Sequence, residues 1–484
     1  MISTSPVCSR AVLLLIAACL VGEAHAWRIE ANTVELLDTT NAATRVFTRI
    51  DFIEPFDTTP VVVGLPSIRG ANTSALKIRN VSTTGFEMIA AEPQGWDGRH
   101  LDMEISYIAA EPGEHFFPDG TRVTVGLTSV SDVAQFGGPT SFQPITFPTA
   151  LSGTPAVLAA IQTMDSETAN PPQTASSPWL TAAIDNVSAF GFDLALDRSS
   201  TTAGTPGPED VGYIAIEAGQ SGSFLDQTSV STVWSATNTA ATIPGYSSNN
   251  SNCASYTYNA TGSAFGDPQV VASKNSRNED DGGWLRYCVI NGTSVSLVVD
   301  EDNINGNRTH AGDYAGIIAF DRPFHAVFEA MVTASKTVSV VADPLGTATS
   351  PYALPGSRVR YTISASNAGN LQADEDSIVL TDAIPPNMVL VVSDIASAGS
   401  GPVLFSDASP SSGLGYTFTS LSSASDSVSF SDDGGTSFTY TPTAGAGGTD
   451  PNVTHVRIAL DGAFLGAEVG TAPSFSVAMD MIVQ

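Results

Sequence analysis

Asn80-Val-Ser-Thr-Thr-Gly-Phe86, followed by Ile105-Ser-Tyr-Ile-Ala-Ala-Glu111, decides the reading of this chain because it recurs. Asn186-Val-Ser-Ala-Phe-Gly-Phe192 precedes Val211-Gly-Tyr-Ile-Ala-Ile-Glu217, and Asn291-Gly-Thr293 precedes Ile317-Ile-Ala-Phe-Asp321. From the Asn to Tyr107, Tyr213 and Ile317 the spacing is 27, 27 and 26 residues. Each copy also opens alike, with Thr59-Pro-Val-Val-Val63, Thr154-Pro-Ala-Val-Leu158 and Asp267-Pro-Gln-Val-Val271. A turn-forming Asn, a short alternating run, a loop and then an apolar strand ending in a carboxylate make one β unit, written three times.

Composition agrees with β structure and narrows the partners. A chain of 484 residues exceeds one hydrophobic core and implies three or four domains. Hydrophobic residues make up 42% and charged residues only 14%, with Gly, Ser, Thr, Ala and Asn abundant. The only lysines are Lys77, Lys274 and Lys336, and the net charge is -30. Such a chain repels nucleic acid and anionic membranes, both of which need Lys/Arg neutralisation. The charge itself suits solubility outside the cell, with recruitment of divalent cations as the sharper alternative.

Residues 1–26 read as a secretory leader, with Arg10, an apolar run from Ala11 to Gly22, and Ala24-His-Ala26 as the small-x-small cleavage site. Cleavage after Ala26 is the reading taken; Ile16-Ala-Ala-Cys19 approximates a lipoprotein site and leaves anchoring through Cys19 as the alternative. No other stretch is long and apolar enough to span a bilayer, and the chain ends without a sorting signal or anchor. Export leaves Cys253 and Cys288, which are expected to form one disulfide. It would close a 36-residue loop, counted inclusively, and contribute about 3–4 kcal/mol on the chain-entropy view.

The first copy is drawn over 27–135, with strands at Val46–Phe52, Thr59–Leu65, Leu76–Asn80, Phe86–Ala90, Asp102–Ala109 and Arg122–Leu127. No segment keeps a helical period, so an antiparallel sandwich is expected. This module resembles the H-type lectin domain, on Phe52 and Phe56 before Pro60-Val-Val-Val63, the Asn80–Phe86 turn, Trp96, and Ile105-Ser-Tyr-Ile-Ala109. Tyr107 stands where many members carry Trp. The resemblance implies a six-stranded sandwich that binds sugar, commonly as a trimer. The second copy is drawn over 141–240. The third, over 245–330, holds both cysteines and lacks the Gly-Phe pair. Their uneven spacing leaves open whether copies two and three form one larger unit.

Residues 331–484 change register. Pro355-Gly356, the Tyr361-Thr-Ile363 strand, the Asn367-Ala-Gly369 turn and Thr381-Asp-Ala-Ile-Pro385 follow one another. In that order they resemble the Ig-like conserved-repeat domain of bacterial surface proteins, a domain of unknown function. The resemblance implies a spacer or stalk and brings no catalytic residues.

Chemistry-bearing motifs are few. The mature chain keeps His100, His115, His310, His325 and His455, none at zinc-protease spacing. There is no nucleophile elbow, phosphate-cradling loop or dinucleotide fingerprint. The most ligand-like loop is Trp96-Asp97-Gly98-Arg99-His100, which offers an aromatic plane, a carboxylate, a guanidinium and an imidazole to a sugar. The alternative is a loop whose Trp96 caps the sandwich and whose Arg99 pairs with Asp97. Asp280 and Asp281, with Asp300 and Asp302, lie in Gly- and Asn-rich acidic loops that suit Ca2+ with its six to eight oxygen ligands, or are solvated turns.

The expectation is an all-β chain of antiparallel sandwich modules in tandem, the last Ig-like, from an exported or cell-surface bacterial protein. Glycan or surface-polymer adhesion is the leading function, with no catalysis. A structural surface or appendage subunit that self-associates is the alternative, and a glycan-active enzyme, needing only two suitably spaced carboxylates, comes third.

Overall fold

The computed structural model describes residues 26–484 apart from 40–45, 71, 94–99, 139, 168–176, 200–203, 248–251, 260–261, 281, 303–307, 309, 348 and 468–470. The leader and Cys19 therefore lie outside the described residues. Those described are all-β apart from one short 3-10 turn, Ala446–Gly448. They divide into two compact units, 26–328 and 329–484.

The first unit is built from three outer sheets, of three, four and three strands, and three four-stranded inner sheets. Strands β1 (Trp27–Leu36), β2 (Thr48–Asp51), β3 (Val61–Leu65), β4 (Ala75–Ser82), β5 (Gly85–Ala91) and β6 (Met103–Ala110) come from the first copy. β7 (Gly113–Phe116), β8 (Arg122–Val130), β9 (Val133–Gln135), β10 (Gln143–Thr146), β11 (Pro155–Ile161), β12 (Leu180–Ser188), β13 (Gly191–Arg198) and β14 (Glu209–Glu217) follow. The third set is β15 (Gln220–Leu225), β16 (Ser231–Asn238), β17 (Ala254–Thr257), β18 (Gln269–Lys274), β19 (Trp284–Ile290), β20 (Ser294–Asp300), β21 (Ala315–Phe320) and β22 (Phe324–Phe328). The outer sheets run β2-β5-β4, β10-β13-β12 and β17-β20-β19, and β9 joins β13 in parallel. The inner sheets run β22-β1-β6-β3, β7-β8-β14-β11 and β15-β16-β21-β18.

The repeated motif folds the same way twice. Asn80 and Asn186 sit at φ 52° and 51°, a conformation Asn tolerates better than most residues. Each falls inside the register shift of its hairpin, between Arg79 and Ser82 or between Asp185 and Ser188, so the Asn makes a β-bulge. Gly85 and Gly191 follow at φ 151° and 152°, where an added Cβ would fall 2.2 Å from Ile50 O and 1.9 Å from Ile145 O. The next residue, Phe86 or Phe192, packs edge-on against Tyr107 or Tyr213 at 5.1 Å in both copies. Fully burying one such ring contributes about 1.5–3 kcal/mol. The third copy keeps the turn by other means, Asn291 Oδ1 accepting from Thr293 N and Ser294 N.

The copies are interlocked rather than strung in a row. β6 runs into β7, which belongs to the second inner sheet; β14 runs into β15, in the third; and β22 returns to pair with β1. The boundaries 27–135 and 141–240 are corrected accordingly: β7 and β8 complete the second sandwich, and β15 and β16 the third. Partner choice of this kind depends on pairing between distant strands, which local patterning does not encode. Opening strands pack on the neighbouring closing strands, β3 on β14, β11 on β21 and β18 on β6. Side-chain amides lock two of these contacts. Gln162 bonds both Val62 N and Val62 O (2.9 and 2.8 Å), and Asn275 bonds both Val157 N and Val157 O (3.0 and 2.6 Å). Trp27, Phe117, Phe224, Trp234 and Phe328 form one aromatic cluster drawn from all three sheets.

The disulfide is Cys253–Cys288. It ties the residue before β17 to the bulged residue of β19, on either side of β20.

The second unit is a two-sheet sandwich of β23 (Val332–Ala342), β24 (Arg358–Asn367), β25 (Val379–Ala383), β26 (Met388–Val391), β27 (Val403–Asp407), β28 (Val428–Ser431), β29 (Thr449–Asp450), β30 (His455–Ala459) and β31 (Ser474–Val483). One sheet runs β23-β24-β31-β26-β29 with β27 also on β31; the other runs β25-β30-β28. The Asn-x-Gly turn is knit by buried Asn367, whose Oδ1 accepts from Met331 N and Gly369 N and whose Nδ2 reaches Leu371 O and Phe464 O. An added Cβ on Gly369 would lie 2.1 Å from Glu329 O.

Candidate functional site

The loops that follow the opening strands and those that precede the closing strands meet at one end of the first unit, and the described ligand candidates His100, Asp280, Asp300 and Asp302 lie in or beside them. The dominant group there is Arg286, fully buried in mid-β19. Its Nη1 reaches Asp300 Oδ2 at 2.7 Å, and Nε, Nη1 and Nη2 donate to Ser67 O, Asn72 O and Arg69 O at 2.8, 2.9 and 3.0 Å. One guanidinium thus fastens the third copy to the loop after β3. Arg308 takes the other oxygen of Asp300 and lies over the Tyr246 ring. Trp284 Nε1 donates to Ser74 O and Tyr287 Oη to Glu104 O across the same contact.

The other contacts carry buried ion pairs. Lys77 meets Glu167 at 2.7 Å beneath the Trp179 ring, and Lys274 meets Asp313 at 3.2 Å. Burial pushes the Lys77 ammonium down and the Glu167 carboxyl up, each against the attraction of the other. Burial likewise raises Asp197, against the pull of Arg277. Between these pairs lies a cavity of about 90 Å3 lined from all three copies, including Leu76, Lys77, Glu167, Lys274 and Trp284. It has room for a few waters, not for a sugar.

Trp96, Asp97, Arg99 and Asp281 lie outside the described residues. His100 is described and is 3% exposed. Its backbone exchanges bonds with Thr39, its Nδ1 faces Leu101 O at 3.0 Å, and Gly70 at φ 81° leaves room for the ring. Burial foremost, with the Arg286 charge adding, pushes its pKa down to about 4, against the bond to Leu101. His100, read as a candidate ligand residue, is therefore a buried neutral ring packed against Gly70.

The acidic loops are also corrected. Asp300 is an arginine acceptor, and Asp302 accepts Ser199 Oγ at 2.7 Å. Asp280 is exposed, with its carbonyl held by Arg277. Among the described residues, Asp280, Asp300 and Asp302 are not brought together as a cation-ligand group. Glu279, Glu301 and His310 do bring donor atoms within 4.8 Å of one another. However, His310 aims Nε2 at Gly282 O (2.6 Å) and Nδ1 at Ala311 O (2.7 Å). Both ring nitrogens are thus turned to backbone carbonyls rather than to a cation. The sequence signal for Arg286 was weak: a charge in mid-strand can as well face solvent, as Arg457 does in β30, and needs a carboxylate only when buried.

No protein-family model matches the chain. It is similar to halomucin of Haloquadratum walsbyi (strain DSM 16790 / HBSQ001), 28% identical over 329 residues. That match takes in 65% of this chain and 3% of halomucin, so the chain spans a small fraction of its relative. A superposition on a membrane-anchored protein from Corynebacterium diphtheriae covers 88% of both chains at 8% identity and a TM-score of 0.14. No helix among the described residues is long and apolar enough to cross a membrane.

Proposed function

We propose that the chain is an exported, surface-located adhesion protein whose residues 26–328 bind glycan and whose residues 329–484 act as an Ig-like spacer, without catalysis. The observation that carries this is the interlocking of three copies about common contacts, which brings equivalent loops of all three to shared ends. H-type lectin domains, which the repeats resemble, commonly act as trimers. Here one chain supplies three copies, and repetition converts weak single-site binding into useful avidity. The similarity to halomucin supports the surface location.

The test is a glycan array with the mature chain, with and without Ca2+, beside Trp96→Ala. Binding abolished by the substitution supports a lectin using that loop, and loss only on chelation points to a cation-dependent site elsewhere in the chain. No binding under either condition refutes the reading.

A structural role is the second reading, favoured by exposed Val338, Val341, Leu345, Tyr352 and Leu354 on β23 and the segment after it. It predicts concentration-dependent assembly in sedimentation that Tyr352→Ser weakens.

A further inference from the structure

The interlocking repeats one corner three times, and the three corners are finished differently. A closing carboxylate follows β6 (Glu111), ends β14 (Glu217) or follows β21 (Asp321), and the facing loop residue stands three before the opening proline: Asp57, Ser152 or Phe265. In the first corner Arg28 pairs with Asp57, and Glu111 accepts from Arg28 N, Asp57 N and Thr58 N. In the third, Val233 replaces the arginine, Asp321 accepts Val233 N, and Arg322 pairs with Asp226. Both are closed by their own residues.

The second corner is open. Ile216 pairs with Val123, which sets Glu217 beside Arg122, the counterpart of Arg28. Ser152 stands where Asp57 would, so Arg122 has no carboxylate partner among the described residues. Its Nη1 donates to Ala150 O at 3.1 Å, and its buried Nε has no partner. Glu217 accepts Ser152 Oγ. The Phe116 ring lies 5.4 Å from the guanidinium and is 44% exposed, its backbone pinned by Trp27 Nε1. Asp119 and Gln220 complete a groove of about 370 Å3, within the roughly 300–1,000 Å3 of small-molecule sites. Asp119 can lie this close to β15 because Gly222 faces it: a Cβ there would meet Asp119 Oδ2 at 2.1 Å.

We propose that this groove is a saccharide site that takes one neutral hexopyranose unit. Phe116 offers a flat apolar face to ring C–H groups. The Arg122 guanidinium, short of a carboxylate partner among the described residues, and the Gln220 amide donate to hydroxyl or ring oxygens, and Asp119 and Glu217 accept from hydroxyls. Two carboxylates around one guanidinium, in a chain of net charge -30, disfavour an anionic sugar. The inference rests on the glycan-binding reading but uses different residues. The groove lies where β14 ends, whereas residues 94–100 lead into the start of β6.

The test is titration of the full chain, in EDTA, with methyl hexopyranosides and methyl hexuronides, followed by saturation-transfer NMR. Neutral glycosides are expected to bind, and Phe116→Ala and Arg122→Ala each to weaken them about tenfold or more. Ser152→Asp, which restores the pairing of the first corner, is expected to abolish binding with the thermal midpoint kept. Trp96→Ala should leave this binding intact. Loss in Trp96→Ala alone overturns the groove while sparing the glycan reading. Preference for uronides overturns the neutral assignment, and no binding by the wild type overturns both.

Discussion

Replacing Arg286 with Met removes the group that fastens the third copy to the first, and its cost can be worked from the contacts. Breaking a buried ion pair costs about 3–5 kcal/mol; the lower end applies because Arg308 still holds Asp300. The carbonyls of Ser67, Arg69 and Asn72 each lose a donor, at about 1 kcal/mol apiece. The buried methionine recovers about 1–2 kcal/mol of apolar burial, leaving a net loss of about 4–5 kcal/mol. Residues 26–328 number 303 (328 − 26 + 1). At about 2.1 cal/mol/K per residue the unfolding entropy is roughly 0.64 kcal/mol/K, so the midpoint should fall by about 7 °C. All five tryptophans, at 27, 96, 179, 234 and 284, lie in this unit. Tryptophan fluorescence on the full chain therefore follows its melting without interference from 329–484. Arg49→Met, which removes an exposed pair with Asp51, serves as control and should shift the midpoint by less than about 1 °C. A fall of less than about 2 °C for Arg286→Met would refute the claim that this contact holds the copies together.

Gly191→Ala places a Cβ 1.9 Å from Ile145 O at a positive φ, and should cost about 2 kcal/mol or more, read in the same fluorescence melt; an unchanged midpoint would contradict the turn geometry. His100 titrates near 4 when folded and near 6.5 when unfolded, so between these values the unfolded chain binds the extra proton and stability falls as pH drops. The fall should approach about 3 kcal/mol by pH 4, and His100→Gln should flatten that part of the midpoint-against-pH curve. Lys77, Lys274 and Lys336 are each buried or nearly so and paired with a carboxylate. Mass spectrometry after brief treatment with an amine-reactive ester should find these three unmodified in the native chain and modified after denaturation.

The sequence was legible where the code is local. The Asn bulges, the Gly required by a neighbouring carbonyl, and the Phe–Tyr contact all lie within one copy, and their spacing shows in the repeat. The disulfide pairing followed from counting. The exchange of β7, β15 and β22 did not show, because Arg122-Val-Thr-Val-Gly-Leu127 reads as a good strand whichever sheet receives it. The same cause hides the groove: the sequence places Phe116 and Arg122 in the first copy and Glu217 in the second, and only the strand exchange brings them together. The acidic loops misled for another reason. Asp300 reads as a cation ligand only if its neighbours are loop carboxylates; folding places two arginines there, one from mid-strand β19.

The exchange also decides how the unit behaves as a whole. In a linear array each repeat touches only its neighbours, and the terminal repeats need caps. Here β22 supplies the strand that the first inner sheet lacks, as β7 and β15 do for the others, so no copy is terminal and none is complete alone. Opening strands pack on the next closing strand in cyclic order, which spreads damage at one contact to all three. Unfolding of 26–328 should therefore be one transition, and the three corners are held in fixed mutual geometry. That rigidity allows the copies to diverge: two corners sealed by their own ion pairs can support the frame while the third stays open. A corner relieved of holding the fold is where a binding groove can be kept at least cost to stability.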